Sequence, residues 1–178
     1  MDPMQTSHVK LLAFDFLSLT QTPTSDPNLF FRKNRPVSRV ETLGIVVSRD
    51  LIPDKFLRFV IDDGTGCIPC IIWLNHFNSP YFARKNPSDV RVMADIANNQ
   101  AMQIQLGVLA RVRGKVTVFR GVLQITVLDA VVERDPNMEI LHWLDCVKLA
   151  RQCYNVKFKP AVATKSVVGE GSSSSVMR

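Results

Sequence analysis

The chain has 178 residues, 46% of them apolar and 21% charged, which excludes a disordered polymer and allows one domain with a real core. Lysine and arginine outnumber aspartate and glutamate by 22 to 16, a net charge of +6 that suits a polyanionic partner without requiring one. No run approaches the ~18 apolar residues of a membrane span and no secretion signal opens the chain, so no membrane partner and an intracellular protein with reduced thiols are expected.

Residues 1–37 read as an N-terminal segment that packs on the domain behind it. Within it, Val9 to Leu19 is apolar enough to be buried and is open between helix and strand. Gln21 to Asn28, with two prolines, is a loop. Phe30-Phe31 beside Arg32, Lys33 and Arg35 is either a nucleic-acid contact or a hydrophobic plug flanked by solvated charges.

Arg39 to Asp50 predicts a first strand with Leu43, Ile45 and Val47 on one face and a bend at Gly44. Phe56 to Trp73 predicts a hairpin: Leu57, Phe59 and Ile61 alternate with Arg58, Val60 and Asp62, Asp63-Gly64-Thr65-Gly66 supplies the turn, and an isoleucine-rich strand closed by Trp73 follows. Ser88 to Asn99 predicts a helix capped by Ser88, with Val92, Met93 and Ile96 inward. Val108 to Val118 is a fourth strand, Val108, Ala110, Val112, Val116 and Val118 inside and Leu109, Arg111, Arg113, Lys115, Thr117 and Phe119 outside. Phe119-Arg120-Gly121 turns the chain into a fifth strand, Leu123 to Val132, with Leu123, Ile125 and Val127 inward. Three strands, a helix and two strands is the order of an OB-fold, a mainly β, five-stranded Greek-key barrel, expected over residues 38–134.

Asp135 and Pro136 open a C-terminal helix over residues 135–157. Its apolar stripe of Ile140, Trp143, Leu144, Val147, Ala150 and Tyr154, widened by Cys146, Leu149 and Cys153, exceeds the ~100° needed to seat one helix on a barrel. The surplus points to a partner surface, unless the N-terminal segment covers it. Residues 158–178 are Gly- and Ser-rich and read as a disordered tail.

No catalytic constellation is apparent: His8, His76 and His142 lack the neighbours of a triad, and no phosphate-cradling glycine loop occurs. Cys67 and Cys70 form a C-x-x-C on a strand, where an offset of three puts the thiols on opposite faces, and Cys146 and Cys153 lie on a helix. Neither pair has zinc spacing, so neither metal nor cofactor is expected. For single-stranded nucleic acid, Trp73 and Phe119 offer flat rings for bases, and Arg58, Arg111, Arg113, Lys115 and Arg120 offer cations for phosphates. Trp73 has the alternative role of a barrel-end core residue.

Three runs carry a family resemblance: Leu43-Gly44-Ile45-Val46; Phe59-Val60-Ile61-Asp62-Asp63-Gly64-Thr65-Gly66 with Ile71-Ile72-Trp73; and Val112-Arg113-Gly114-Lys115. Together they resemble the Stn subunit of the telomeric Ctc–Stn–Ten complex, and Leu11-Leu12-Ala13-Phe14-Asp15-Phe16-Leu17 with the short length looks like its plant form. The D-D-G-T-G hairpin alone is shared with the middle subunit of replication protein A. The resemblance implies an OB-fold that helps hold single-stranded telomeric DNA and pairs with the small OB-fold subunit Ten partly through the helix after the barrel. It also implies a third subunit, Ctc, a nuclear site at chromosome ends, and recruitment of DNA polymerase α-primase. By motif position the family's DNA-contacting aromatics fall on Trp73 and Phe119. Thr117 stands where some relatives carry a basic residue, so that phosphate contact is not expected here. Animal and fungal relatives carry C-terminal winged-helix domains whose functions are not expected of this chain.

Overall fold

The computed structural model describes residues 3–21, 29–75 and 78–155. Most of the expected loop before Asn28 and all of the expected tail therefore lie outside the described residues. The strands are β1 (His8–Lys10), β2 (Thr20–Gln21), β3 (Phe30–Arg32), β4 (Arg35–Val37), β5 (Arg39–Ile52), β6 (Phe56–Asp62), β7 (Cys67–Trp73), β8 (Leu109–Phe119) and β9 (Val122–Glu133). The α-helices are α1 (Pro3–Thr6), α2 (Ala13–Leu17), α3 (Pro87–Gln103) and α4 (Asn137–Leu149), the last continued by a π turn over Ala150–Tyr154. Against the expectation of five strands, the described residues form a six-stranded sheet in the order β1-β5-β6-β7-β9-β8 and a separate three-stranded sheet β2-β3-β4.

The length of β5 organises the larger sheet. Its first half, Arg39 to Ile45, pairs antiparallel with β8, and its second half, Ile45 to Ile52, pairs antiparallel with β6, so the sheet curls back on itself. The two halves diverge beside Gly44, where a Cβ would lie 2.6 Å from the Asp62 carbonyl oxygen. Only glycine tolerates that approach. Val40, Thr42 and Val46 are buried on one face of β5, so Val47, expected inside but on the other face with Leu43 and Ile45, is 49% exposed, and a bulge follows between Val46 and Ser48. Val118 is likewise exposed at the end of its hairpin, and Leu109, expected outside, is buried at the other end of β8.

The core inside the curled sheet is made by Val40, Val46, Leu57, Phe59, Ile61, Ile68, Ala110, Val112, Val116 and Ile125. The period-two alternation of β6 thus buries Leu57, Phe59 and Ile61 as read from the sequence. Helix α3 differs from expectation at its start and in its face. Asn86, not Ser88, caps it, accepting the Ser88 N–H at 3.2 Å, with Pro87 in the first turn. Its buried and half-buried residues against the core are Val90, Ala94, Ala97 and Ala101, whereas Val92 is exposed and Met93 and Ile96, also exposed, line a groove beside Trp73 and Leu128. Small residues at i, i+4, i+7 and i+11 let the helix axis approach the sheet closely, which larger side chains would prevent.

The N-terminal segment resolves into both alternatives: β1 adds parallel to β5, and α2 carries buried Phe16. Arg32, expected among solvated charges, is only 4% exposed, and its Nη2 donates to both carboxylate oxygens of Asp15 of α2 at 2.9 and 3.0 Å. It also donates to Asn155 Oδ1 at 3.1 Å, so it ties α2 to the end of the C-terminal helix. That helix is seated by His142, Cys146 and Tyr154, all buried. Asp135 accepts the Asn137 N–H at 2.9 Å and so caps its start.

Candidate nucleic-acid interface

The hairpin β6–β7 pairs Phe56 with Trp73 and Arg58 with Ile71, on the parity opposite to the buried Leu57, Phe59 and Ile61. The Phe56 and Trp73 rings meet edge to face with centroids 5.8 Å apart. The Arg58 guanidinium lies over two rings, 4.6 Å from the centroid of Phe56 and 5.1 Å from that of Phe119. Arg120 closes the row, 5.2 Å from the Phe119 centroid. Trp73, Phe56, Arg58, Phe119 and Arg120 therefore form one continuous band of rings and cations on the outside of the sheet.

The β8–β9 turn brings the last two residues there. Arg120 and Gly121 have φ of 50° and 80°, the left-handed pair of a tight primed turn, with Phe119 facing Val122 across it. Phe119 and Arg120 are exposed, Phe119 at 41%. Trp73 is half-buried, so it takes part in packing and still shows a face.

The arginines expected to extend this band along β8 are employed elsewhere. Arg111 bonds Glu133 at 2.7 Å and Glu41 at 3.0 Å, and Arg113 bonds Glu41 at 2.6 Å. Glu41 is 4% exposed, and a buried carboxylate needs such partners. Burial works to raise its pKa, but the hydrogen bonds and charges of Arg113 and Arg111, with the nearby Lys10, outweigh it and hold the carboxyl below its ordinary value. Arg111 is also eight residues from Phe119, roughly 26 Å along an extended strand. Arg111 and Arg113 are thus ion-pair partners of Glu41, Arg111 with its side chain 14% exposed and Arg113 with 43%. Lys115 is exposed, four residues from Phe119.

Phe56 is the member that the sequence reading did not select. Its signal was present: it shares outward parity with Arg58 and stands two residues before it.

The partner stripe divides in the same way. Ile140, Trp143, Leu144 and Val147 are exposed, with Ile140 at 62% and Leu144 at 61%. Ala150 is half-buried against the core, and Tyr154 is buried, its hydroxyl accepting the Lys10 N–H at 3.2 Å. Burial pushes the Tyr154 phenol up to about 12. Ala150 and Tyr154 therefore belong to the seat of the helix, a correction to their place on the partner face. Trp143 spans both roles, since its indole N–H donates to the Asp63 carbonyl at 3.1 Å.

Cys67 is exposed and Cys70 buried, on opposite faces of β7, and all four cysteines are free thiols. Among the described residues no group of His, Cys, Asp and Glu is arranged to hold a metal ion, and no helix is long and apolar enough to cross a membrane.

A curled mixed sheet, in which β7 pairs parallel with β9, with a helix between its third and fourth long strands and rings and cations on its outer face, defines a mainly β protein of OB-fold type. No protein-family profile matches the chain. It is 51% identical over 156 residues to the CST complex subunit STN1 of Arabidopsis thaliana, covering 88% of this chain and 97% of that protein. To the human CST complex subunit STN1 it is 26% identical over 176 residues, spanning 46% of that longer protein. Among solved structures, it superimposes on a chain of the S. pombe Stn1–Ten1 complex with a TM-score of 0.63 at 16% identity, covering 82% of this chain and 92% of that one. A replication protein A heterotrimer bound to single-stranded DNA gives a TM-score of 0.61 at 18% identity, covering 82% of this chain and 97% of the matched chain. At those identities the structural likeness is one of fold. The chain belongs to the STN1 family of CST complex subunits, which are not enzymes.

Proposed function

We propose that this protein is a single-stranded DNA-binding subunit of a telomere-capping complex in the nucleus, built on one OB barrel formed by the ring β5-β6-β7-β9-β8. The single observation that carries the DNA reading is the unbroken band Trp73–Phe56–Arg58–Phe119–Arg120. Rings accept any base and cations follow the phosphates, which is the chemistry of sequence-tolerant single-strand binding. Lys115 extends the cationic path along β8. The exposed residues Ile140, Trp143, Leu144 and Val147 of α4 form the surface for a small OB-fold partner of the Ten type, a reading supported by the occurrence of the fold in a Stn1–Ten1 complex. A Ctc-type subunit completes the assembly, which protects chromosome ends and supports fill-in synthesis by DNA polymerase α-primase.

The test is Phe119→Ala in an assembly shown to be intact. Stacking a base on a ring contributes roughly 1–3 kcal/mol, so affinity for single-stranded DNA should drop about ten- to a hundredfold while melting stays normal. Unchanged affinity would favour a protein adaptor that does not touch DNA.

A further inference from the structure

Arg58 occupies an unusual position in the band. Its guanidinium lies over two outward rings that are not sequence neighbours, 4.6 Å from the Phe56 centroid and 5.1 Å from the Phe119 centroid. The two rings belong to different hairpins, Phe56 to β6 and Phe119 to the β8–β9 turn, so the planar group bridges the floor of the sheet and the loop above it. Arg58 is exposed, and the ion pairs found for Arg111 and Arg113 have no counterpart at Arg58 among the described residues. A flat cation held over rings shares a nucleobase's planarity and carries the charge that a phosphate seeks.

We propose that Phe56 is a third base-stacking ring and that the Arg58 guanidinium is a placeholder for a base in the slot between Phe56 and Phe119. This rests on the single-strand reading above. In the free protein the guanidinium keeps the apolar ring faces covered and holds the β8–β9 turn against the β6–β7 hairpin. When a strand enters, a base replaces it, because a base stacks on an aromatic ring more strongly than an exposed guanidinium does. The displaced arginine then swings to the neighbouring phosphate, where it makes a charge-assisted contact it lacks in the free state. One side chain thereby keeps the slot open to a base and contributes to its charge neutralisation.

The exchange is read directly on the full chain by NMR. The Arg58 Nε–H resonance should be shifted by ring currents in the free protein and should move back toward an ordinary arginine position on saturation with a short oligothymidylate. Phe56→Leu keeps an apolar side chain against Trp73 but removes the ring, and it should weaken oligothymidylate binding about tenfold with an unchanged salt slope in a protein that still melts cooperatively. Arg58→Met keeps the stem, removes the charge, and should make the log K against log salt slope shallower by about 0.7. A resonance that remains ring-shifted in the saturated complex, or wild-type affinity for Phe56→Leu in a folded protein, overturns the placeholder. Phe119→Ala separates this from the underlying reading. If Phe119→Ala weakens binding and Phe56→Leu does not, the slot alone falls; if neither does, the single-strand site itself falls.

Discussion

The Asp63 carboxylate accepts the backbone N–H of Ala13 at 2.7 Å, from a position 50 residues further along the chain. Helix α2 starts after Leu12, which has no side chain able to cap it, and the D-D-G-T-G turn supplies the missing acceptors. Asp63 takes the Ala13 N–H and Thr65 Oγ1 takes the Phe14 N–H at 3.0 Å, while the other Asp63 oxygen accepts the Thr65 N–H and hydroxyl. The carboxylate is 2% exposed, so these bonds are what compensates its burial. The motif that marks the hairpin is therefore also the N-cap of a distant helix.

Asp63→Asn keeps the size but turns an ionised acceptor into a neutral amide. We expect a loss of about 2–3 kcal/mol in urea unfolding, with Thr65→Val costing about 1 kcal/mol. Equal stability of Asp63→Asn and the natural protein would show that the remote cap contributes nothing.

The ion pairs of β8 change what salt titration should show. With Arg58, Lys115 and Arg120 meeting about three phosphates, log K for a single strand should fall with log salt at a slope near ~−2. Arg111→Gln should leave that slope unaltered and instead destabilise the fold by about 2 kcal/mol, because buried Glu41 loses one of its arginines. A shallower slope for Arg111→Gln with normal melting would return Arg111 to the DNA site.

For the α4 surface, Leu144→Glu and Ile140→Glu are the clean probes, since both side chains are more than half exposed. Each should abolish pairing with the small OB-fold partner, measured by co-purification, and leave the melting transition within about 0.5 kcal/mol of the natural chain. Trp143→Glu should do both kinds of damage, because it also removes the indole donor to the Asp63 carbonyl. Retained pairing in Leu144→Glu would move the partner to another face.

Acid should destabilise the protein in two stages. Burial, the largest influence on His142, holds its pKa below the ordinary 6.5, so below that pH the unfolded chain binds a proton that the folded chain resists. The unfolded state then holds more protons, and stability falls as pH falls. Glu41, held below its ordinary 4.5, contributes stability that is complete above that value and is lost as pH drops through the lowered folded one. Melting temperature followed downward from neutrality should show both stages. His142→Leu should remove most of the upper one and spare the lower; an unchanged upper stage would assign it to another group.

The hairpin of β6 and β7 was legible in the sequence because its determinants are local: a period of two along β6 and glycines at the turn between the strands. The same holds for the order of the long strands, for the position of α3 between them, and for Phe119 at the tip of a tight turn. Where neighbours in space are distant in sequence, legibility ended. Parity put Arg111 and Arg113 outside, but it carried no information about Glu41, which meets them from 70 and 72 residues away. The inward face of α3 was misassigned because close approach to the sheet selects alanines over the bulkier Val92, Met93 and Ile96, and closeness is a property of the packed pair rather than of the helix. In β5 the core face carries Val40, Thr42 and Val46 because of how it pairs with β8, and a bulge after Val46 reverses the facing beyond it. Phe56 and Phe119 meet the same Arg58 guanidinium only because two hairpins, each readable alone, are brought together by closure of the sheet.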